Sequence, residues 1–268
     1  MAKSVLNFHS EVLGFHNTVC FAFPESESFD TLRAPQNEDL QVLYLLHGMH
    51  GGASSWLGNA NVERYLRESG KKMVVVMPEM GNDFYTDHKI GWKYLTYVAE
   101  ELPRIVETFL RVSPKRENTF VAGLSMGGYG AIKMALRYPE KFGFAASFSG
   151  CLDMDEVVNT TEVTCGLPLA EAENRKEIVR ISEFVFGGPD KIKGSDNDLF
   201  HLLEAECGQK PELYVSCGTA DVLFGQNERF VEKAAALGYG VTFHREQDEG
   251  HAWRFWDKEV EKLLRVTL

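Results

Sequence analysis

Polar and apolar residues alternate in SVLNFHSEVL (4–13) and HNTVCFAFP (16–24), with Gly14 between the two runs. Two such periods of two, separated by a glycine, predict an antiparallel pair of strands at the N-terminus. Beyond residue 40 the pattern changes to short, largely apolar runs: QVLYLLHG (41–48), KMVVVMP (72–78), NTFVAGLS (118–125), FGFAASFSG (142–150), ELYVSCG (212–218) and VTFHRE (241–246). Runs of this length without alternation suit parallel strands buried on both faces. Between them, apolar positions recur at helical spacing in NVERYLRES (61–69), YLTYVAEELPRIVETFL (94–110), GYGAIKMALRYP (128–139), QNERFVEKAAALG (226–238) and FWDKEVEKLLRV (255–266). Strand and helix alternate, so the chain reads as an α/β protein: a mostly parallel central sheet, helices on both faces, and antiparallel strands at the N-terminal edge.

One stretch breaks the rhythm. From Asp153 to Cys207 the sequence is polar, carries Gly187, Gly188 and Pro189, and offers no strong strand. It is read as a small helical cap, an insertion over about 153–207 in a single domain spanning 1–268. No repeat, low-complexity tract or linker divides the chain further.

Charge narrows the partners. Against 28 Lys and Arg stand 39 Asp and Glu, a formal net charge of -11, and no segment concentrates basic residues. Nucleic acid and anionic membrane surfaces are poor partners for such a chain, because neutralising phosphates needs clustered cations. The opening MAKSVLNFHSEVLGF lacks the apolar run of a signal peptide, and no uncharged apolar stretch reaches membrane-spanning length, so a cytoplasmic protein is expected. Cysteines 20, 151, 165, 207 and 217 form an odd set with no CxxC, which favours buried free thiols over disulfides or a zinc ribbon. The sequence is compatible with a homo-oligomer and does not specify one.

In open α/β sheets, ligands bind at the carboxyl ends of the strands. After the third parallel strand stands Gly123-Leu124-Ser125-Met126-Gly127-Gly128, a G-x-S-x-G element leading directly into a helix pattern. By composition alone that pentapeptide arises in about one chain in ten of this length, so its place between strand and helix carries the weight. A serine on a strained strand-to-helix turn needs glycine two residues away on either side, where side chains would collide. Its hydroxyl also needs a base to take its proton and an acid to hold that base's tautomer. Asp221 follows ELYVSCG and His251 follows VTFHRE, both at the same sheet end and in the chain order Ser, Asp, His. An oxyanion requires two N–H donors: Met126, next after the serine, and Met49 in the glycine-rich loop Leu46-His47-Gly48-Met49-His50-Gly51-Gly52. No Lys-Ser/Thr follows that loop, which argues against a phosphate cradle.

His47-x-x-His50 with Asp83 or Asp87 is weak as a metal set, and substrate contact or packing beneath the loop is the preferred reading of these histidines. No metal and no cofactor is expected. Aromatic residues gather near the same end, namely Trp56, Phe84, Tyr85, Trp92, Trp253 and Trp256, and of these Trp56 and Trp253 are the nominated substrate-binding walls.

At YLLHGMHGGASSWLGNANVERYL, VVVMPEMGNDFYTD, TYVAEELPRIVETF, FVAGLSMGGYGAIKMAL, AASFSG, CGTAD and GHAWRFW the chain resembles the esterase D family of α/β hydrolases, most of all its tributyrin esterase branch. The resemblance runs from about residue 40 to the C-terminus and is weakest in the insertion. It implies the α/β-hydrolase fold and a cofactor-free serine carboxylesterase that takes small-molecule, short-chain acyl esters through an acyl-enzyme, with Ser125, Asp221 and His251 as the triad. The same family includes S-formylglutathione hydrolases, feruloyl esterases, polysaccharide deacetylases and acyltransferases, so the substrate stays open. A non-catalytic binding protein on the same scaffold is the alternative from another class.

Overall fold

A computed structural model describes residues 2–23, 40–110, 115–159, 171–205 and 208–268. Within them, eight strands form one sheet in the order β1-β2-β4-β3-β5-β6-β7-β8. The strands are β1 Ala2–Ser10, β2 Phe15–Phe23, β3 Gln41–Leu46, β4 Met73–Pro78, β5 Thr119–Leu124, β6 Phe144–Phe148, β7 Glu212–Gly218 and β8 Val241–Glu246. β1 and β2 pair as a hairpin from Ala2 opposite Phe23 to Ser10 opposite Phe15, and the turn closes with Gly14 at φ 77°, a left-handed conformation that favours glycine. β2 also pairs antiparallel with β4, whereas β3 through β8 pair in parallel. This is the α/β-hydrolase fold that the sequence pattern and its resemblance led one to expect.

Helices cover both faces. On one lie Tyr94–Thr96 (α3), Leu102–Leu110 (α4), Met126–Arg137 (α5) and Phe224–Ala236 (α9), whose buried residues join Val42, Tyr44, Val76 and Val121 of the sheet. On the other lie Ser55–Asn59 (α1), Val62–Ser69 (α2) and Trp253–Lys262 (α10), packed on Leu43, Leu45, Val75 and Ala122. Successive strand residues point to opposite faces, so β3, β4 and β5 feed both cores and must be apolar almost throughout.

Two expectations need correction. β8 was grouped with strands buried on both faces, yet it is the last strand at the sheet edge, and its residues are only half covered or exposed. The 94–110 helix is also not uniform: a π-helical turn at Tyr97–Glu101 precedes Pro103, loosening the backbone where proline supplies no N–H.

Between β6 and β7 the described residues form Met154–Asn159 (α6), Glu171–Ile181 (α7) running into a π-helical turn at Ser182–Phe186, and Leu199–Glu204 (α8). Asp198 caps α8 by accepting from the Phe200 and His201 N–H groups. Ile178, Ile181, Val185, Phe186, Ile192 and Leu199 are buried in the same core as α5. Residues 160–170 and 206–207 of the expected cap lie outside the described residues. Cys20, Cys151 and Cys217 are buried free thiols; Cys165 and Cys207 fall outside the description. No described helix is long and apolar enough to cross a membrane.

Candidate active site

β5 ends at Leu124 and α5 begins at Met126, leaving Ser125 alone to turn the chain. It does so at φ 53° and ψ -117°, a conformation that strains any residue with a Cβ. Neighbouring backbone holds it there: the Ser125 N–H donates to Phe148 O at 2.9 Å, and the Tyr129 N–H donates to Ser125 O at 3.1 Å. The glycines on either side are required by contact. A Cβ at Gly123 would lie 2.3 Å from Gly127 O, and one at Gly127 would lie 2.5 Å from Leu46 O and 2.6 Å from His47 O.

The two partners arrive from later strands. His251 Nε2 stands 3.0 Å from Ser125 Oγ, and His251 Nδ1 stands 2.9 Å from Asp221 Oδ2. The second carboxylate oxygen of Asp221 accepts the Leu223 N–H at 2.9 Å. Burial by itself would raise the Asp221 carboxyl, but the hydrogen bond and charge of His251, the Leu223 N–H and the Ser149 hydroxyl outweigh it and hold the group below the ordinary aspartate range. The acid is thus kept ionised, and the Nδ1–H···carboxylate bond leaves Nε2 free to accept the serine proton. Ser125, Asp221 and His251 are therefore brought together in a line of three hydrogen-bonding groups.

Met126 opens α5, so its N–H is one of those that find no partner inside the helix. The loop carrying Met49 is pressed against the serine, since a Cβ at Gly48 would lie 3.3 Å from Ser125 Cβ. His47 holds this loop in shape. Its Nδ1–H donates to Gly48 O at 2.7 Å, its Nε2 accepts the Met80 N–H at 3.2 Å, and its carbonyl accepts the Tyr85 hydroxyl at 2.8 Å. Burial lowers the His47 pKa against the opposing pull of Gly48 O and Glu79, so the ring is neutral, as these bonds require. With both nitrogens facing backbone, His47 has none to offer a metal. Among the described residues no group of three or more His, Cys, Asp or Glu is arranged to hold one.

The aromatic nominations separate. Trp56 is fully buried: α1 points its indole inward, where the N–H donates to Leu46 O at 3.0 Å and the ring packs edge-on to Phe148 and Trp253. It is a core residue behind the loop that carries Met49, which corrects its nomination as a substrate wall. Trp253 is half-buried on the outer side of the same cluster. Of two further contributors, Trp256 was placed near the site by the sequence without a role, and Ser149 escaped it. Trp256 packs edge-to-face on the His251 ring at 4.8 Å between centroids, and Ser149, at φ 49°, bonds to Asp221. Ser149 directly follows β6, so the strand-end rule that singled out Ser125, Asp221 and His251 could have singled it out too.

Comparison with known proteins identifies the family of the chain. The model of the Esterase family matches residues 10–261. An acetyl esterase of Caldicellulosiruptor saccharolyticus is 31% identical over 267 residues, covering 97% of this chain and 96% of that protein. Among solved structures, fluorophosphonate-binding serine hydrolase F of Staphylococcus aureus superposes with a TM-score of 0.83 at 28% identity over 98% of this chain and 96% of its own. An S-formylglutathione hydrolase from Staphylococcus aureus gives 0.81 at 28% identity, covering 98% and 97%.

Proposed function

Because the chain belongs to the Esterase family and is a serine carboxylic ester hydrolase, we propose that it is a short-chain carboxylesterase of the esterase D type, nearest the tributyrin esterases, working through a Ser125–His251–Asp221 triad. The observation that carries the proposal is the continuous hydrogen-bonded line from Ser125 Oγ through His251 to Asp221, set on a strained turn. His251 takes the Ser125 proton as Oγ attacks the ester carbonyl of a small-molecule substrate. The Met126 and Met49 N–H groups receive the oxyanion, and His251 returns the proton to the departing alcohol. Water, activated by the same histidine, then releases the acyl group from Ser125. Asp221 stays ionised throughout and stabilises the imidazolium. The likeness to an acetyl esterase over nearly the whole chain supports a short acyl group. Trp253 is proposed as part of the substrate wall.

A second reading, thioester hydrolysis on the same residues, is favoured by the likeness to an S-formylglutathione hydrolase. The decisive experiment compares kcat/KM for p-nitrophenyl esters from acetate to octanoate, together with S-formylglutathione and methyl ferulate, in wild type and Ser125→Ala. Turnover concentrated at acetate to butyrate and abolished by Ser125→Ala is the expected result. A dominant rate on S-formylglutathione selects the second reading. Undiminished turnover in Ser125→Ala removes the triad assignment.

A further inference from the structure

A cleft of about 470 Å³ opens between the loop that follows β4 and the insertion helix α7, a size suited to a small ligand. The two sides of this cleft are linked through the oxyanion loop. The His50 N–H donates to Asn82 Oδ1 at 2.8 Å on the cleft's rim, and His50 Nε2 reaches Glu177 Oε1 at 3.2 Å, one turn before Arg180 on α7. The cleft therefore adjoins the residue after Met49, at the carboxyl end of the sheet where the candidate triad lies.

Its lining is of two kinds. Ile90, Trp92 and Phe184 remain 86%, 49% and 64% exposed, a large outlay of apolar surface for one small region. Trp92 is held in place by edge-on packing against Phe15 at 5.5 Å and by His88 at 6.0 Å, so it presents a fixed ring. The charged lining is unequal. Asp83 is occupied, its Oδ1 lying 2.8 Å from His88 Nε2, whereas Arg180 has no hydrogen-bond or ion-pair partner among the described residues. An unpaired guanidinium beside a rigid aromatic surface can bind a planar carboxylate with two parallel N–H donors while the ring of the same ligand lies on the apolar wall.

We infer that this cleft is a subsite for the part of the ester remote from the reacting carbonyl, and that it takes a ring-bearing group with a carboxylate directed to Arg180. The inference rests on the ester-hydrolase reading and deepens it by naming a substrate class. Trp92 and Phe184 supply contact area, Arg180 supplies the charge match, and the Asp83–His88 pair at the opposite side turns the anionic end toward α7.

The test is a double comparison of 4-acetoxybenzoate with its neutral counterpart 4-acetoxybenzamide, in wild type and Arg180→Gln; intrinsic reactivity cancels between the two proteins. The ratio of kcat/KM for the charged over the neutral ester is expected to fall at least about tenfold in Arg180→Gln, the scale of a charge-assisted hydrogen-bond pair. Phe184→Ala is expected to lower both aryl esters relative to ethyl acetate. Equal loss of charged and neutral esters in Arg180→Gln overturns the inference. A second readout needs no turnover: titration of 4-hydroxybenzoate into Ser125→Ala, followed by tryptophan fluorescence, should give binding at least about fivefold tighter than in Ser125→Ala/Arg180→Gln. If no ester is hydrolysed by wild type, the ester reading fails, and this titration alone decides the cleft; identical titrations in the two proteins refute it.

Discussion

Lys133 lies on α5, eight residues after Ser125, and is fully buried. Its ammonium donates to Thr86 Oγ1 and to Asn197 Oδ1, both at 2.6 Å, and stands 5.2 Å from the centre of the Tyr129 ring. It therefore joins α5, the loop after β4 and the segment between β6 and β7 by bonds to neutral acceptors. Burial is the main cause that brings its pKa down from 10.5 to about 7; Asp87 and Asp196 pull it back up, and Arg137 adds to the lowering. The sign follows. Below pH 7 the lysine is protonated folded and unfolded, and the burial penalty is fully present; between about 7 and 10.5 the unfolded chain binds the extra proton, so stability rises with pH. Integrated from pH 7 to 9, that rise is about 2 kcal/mol. Lys133→Met keeps an unbranched side chain one atom shorter and removes the titrating amine. Urea unfolding of both proteins at pH 7, 8 and 9 gives the stability difference, in which every group they share cancels. Wild type is expected to gain about 2 kcal/mol on the variant across this range. A difference flat to within about 0.5 kcal/mol would show that Lys133 does not change its protonation on unfolding in this window.

Three further outcomes are expected. Asp221→Asn keeps the shape of the acid but loses the charge that fixes the His251 tautomer, and kcat on p-nitrophenyl acetate should fall by about 10⁴-fold; a loss under tenfold would separate Asp221 from the relay. Gly127→Ala places a methyl 2.5 Å from Leu46 O, so a protein that still folds by circular dichroism should lose about 10²-fold in kcat/KM as the Met49 loop is displaced; wild-type turnover would refute the tight apposition. Trp56→Phe leaves Leu46 O without its buried donor and should cost about 1–3 kcal/mol in urea unfolding with the acyl-length profile intact. A changed profile at unchanged stability would return Trp56 to the substrate wall.

The sheet was legible because β3 to β6 are short apolar runs that can only be satisfied between two helix layers, and the positions of Ser125, Asp221 and His251 followed from strand ends and chain order. What depended on three-dimensional closeness was not legible. Trp56 sits among the aromatic residues near the site, and nothing local shows that α1 turns its indole into the core. Lys133 in GYGAIKMALRYP looks like an ordinary helix-surface lysine, because its covering comes from Thr86 and Asn197, distant in sequence. VTFHRE has the composition of an inner strand, yet among the described residues it pairs only with β7 and forms one edge of the sheet. For His47 the sequence offered packing beneath the loop as one of two readings, but its bonds to Gly48 O and the Met80 N–H run to backbone atoms and left no pattern to read.

The candidate triad spans 126 residues between Ser125 and His251, and the histidine is carried by the loop after β8, the last strand of the sheet in chain order. A growing chain that has finished β5 and its elbow already owns the serine, but without the base that hydroxyl is as unreactive as any other. Only when β8 has docked along β7 does His251 come within reach. If the proposed triad operates, reactivity toward a serine-directed probe belongs to the completed sheet, and its appearance would time the end of folding from inside the molecule.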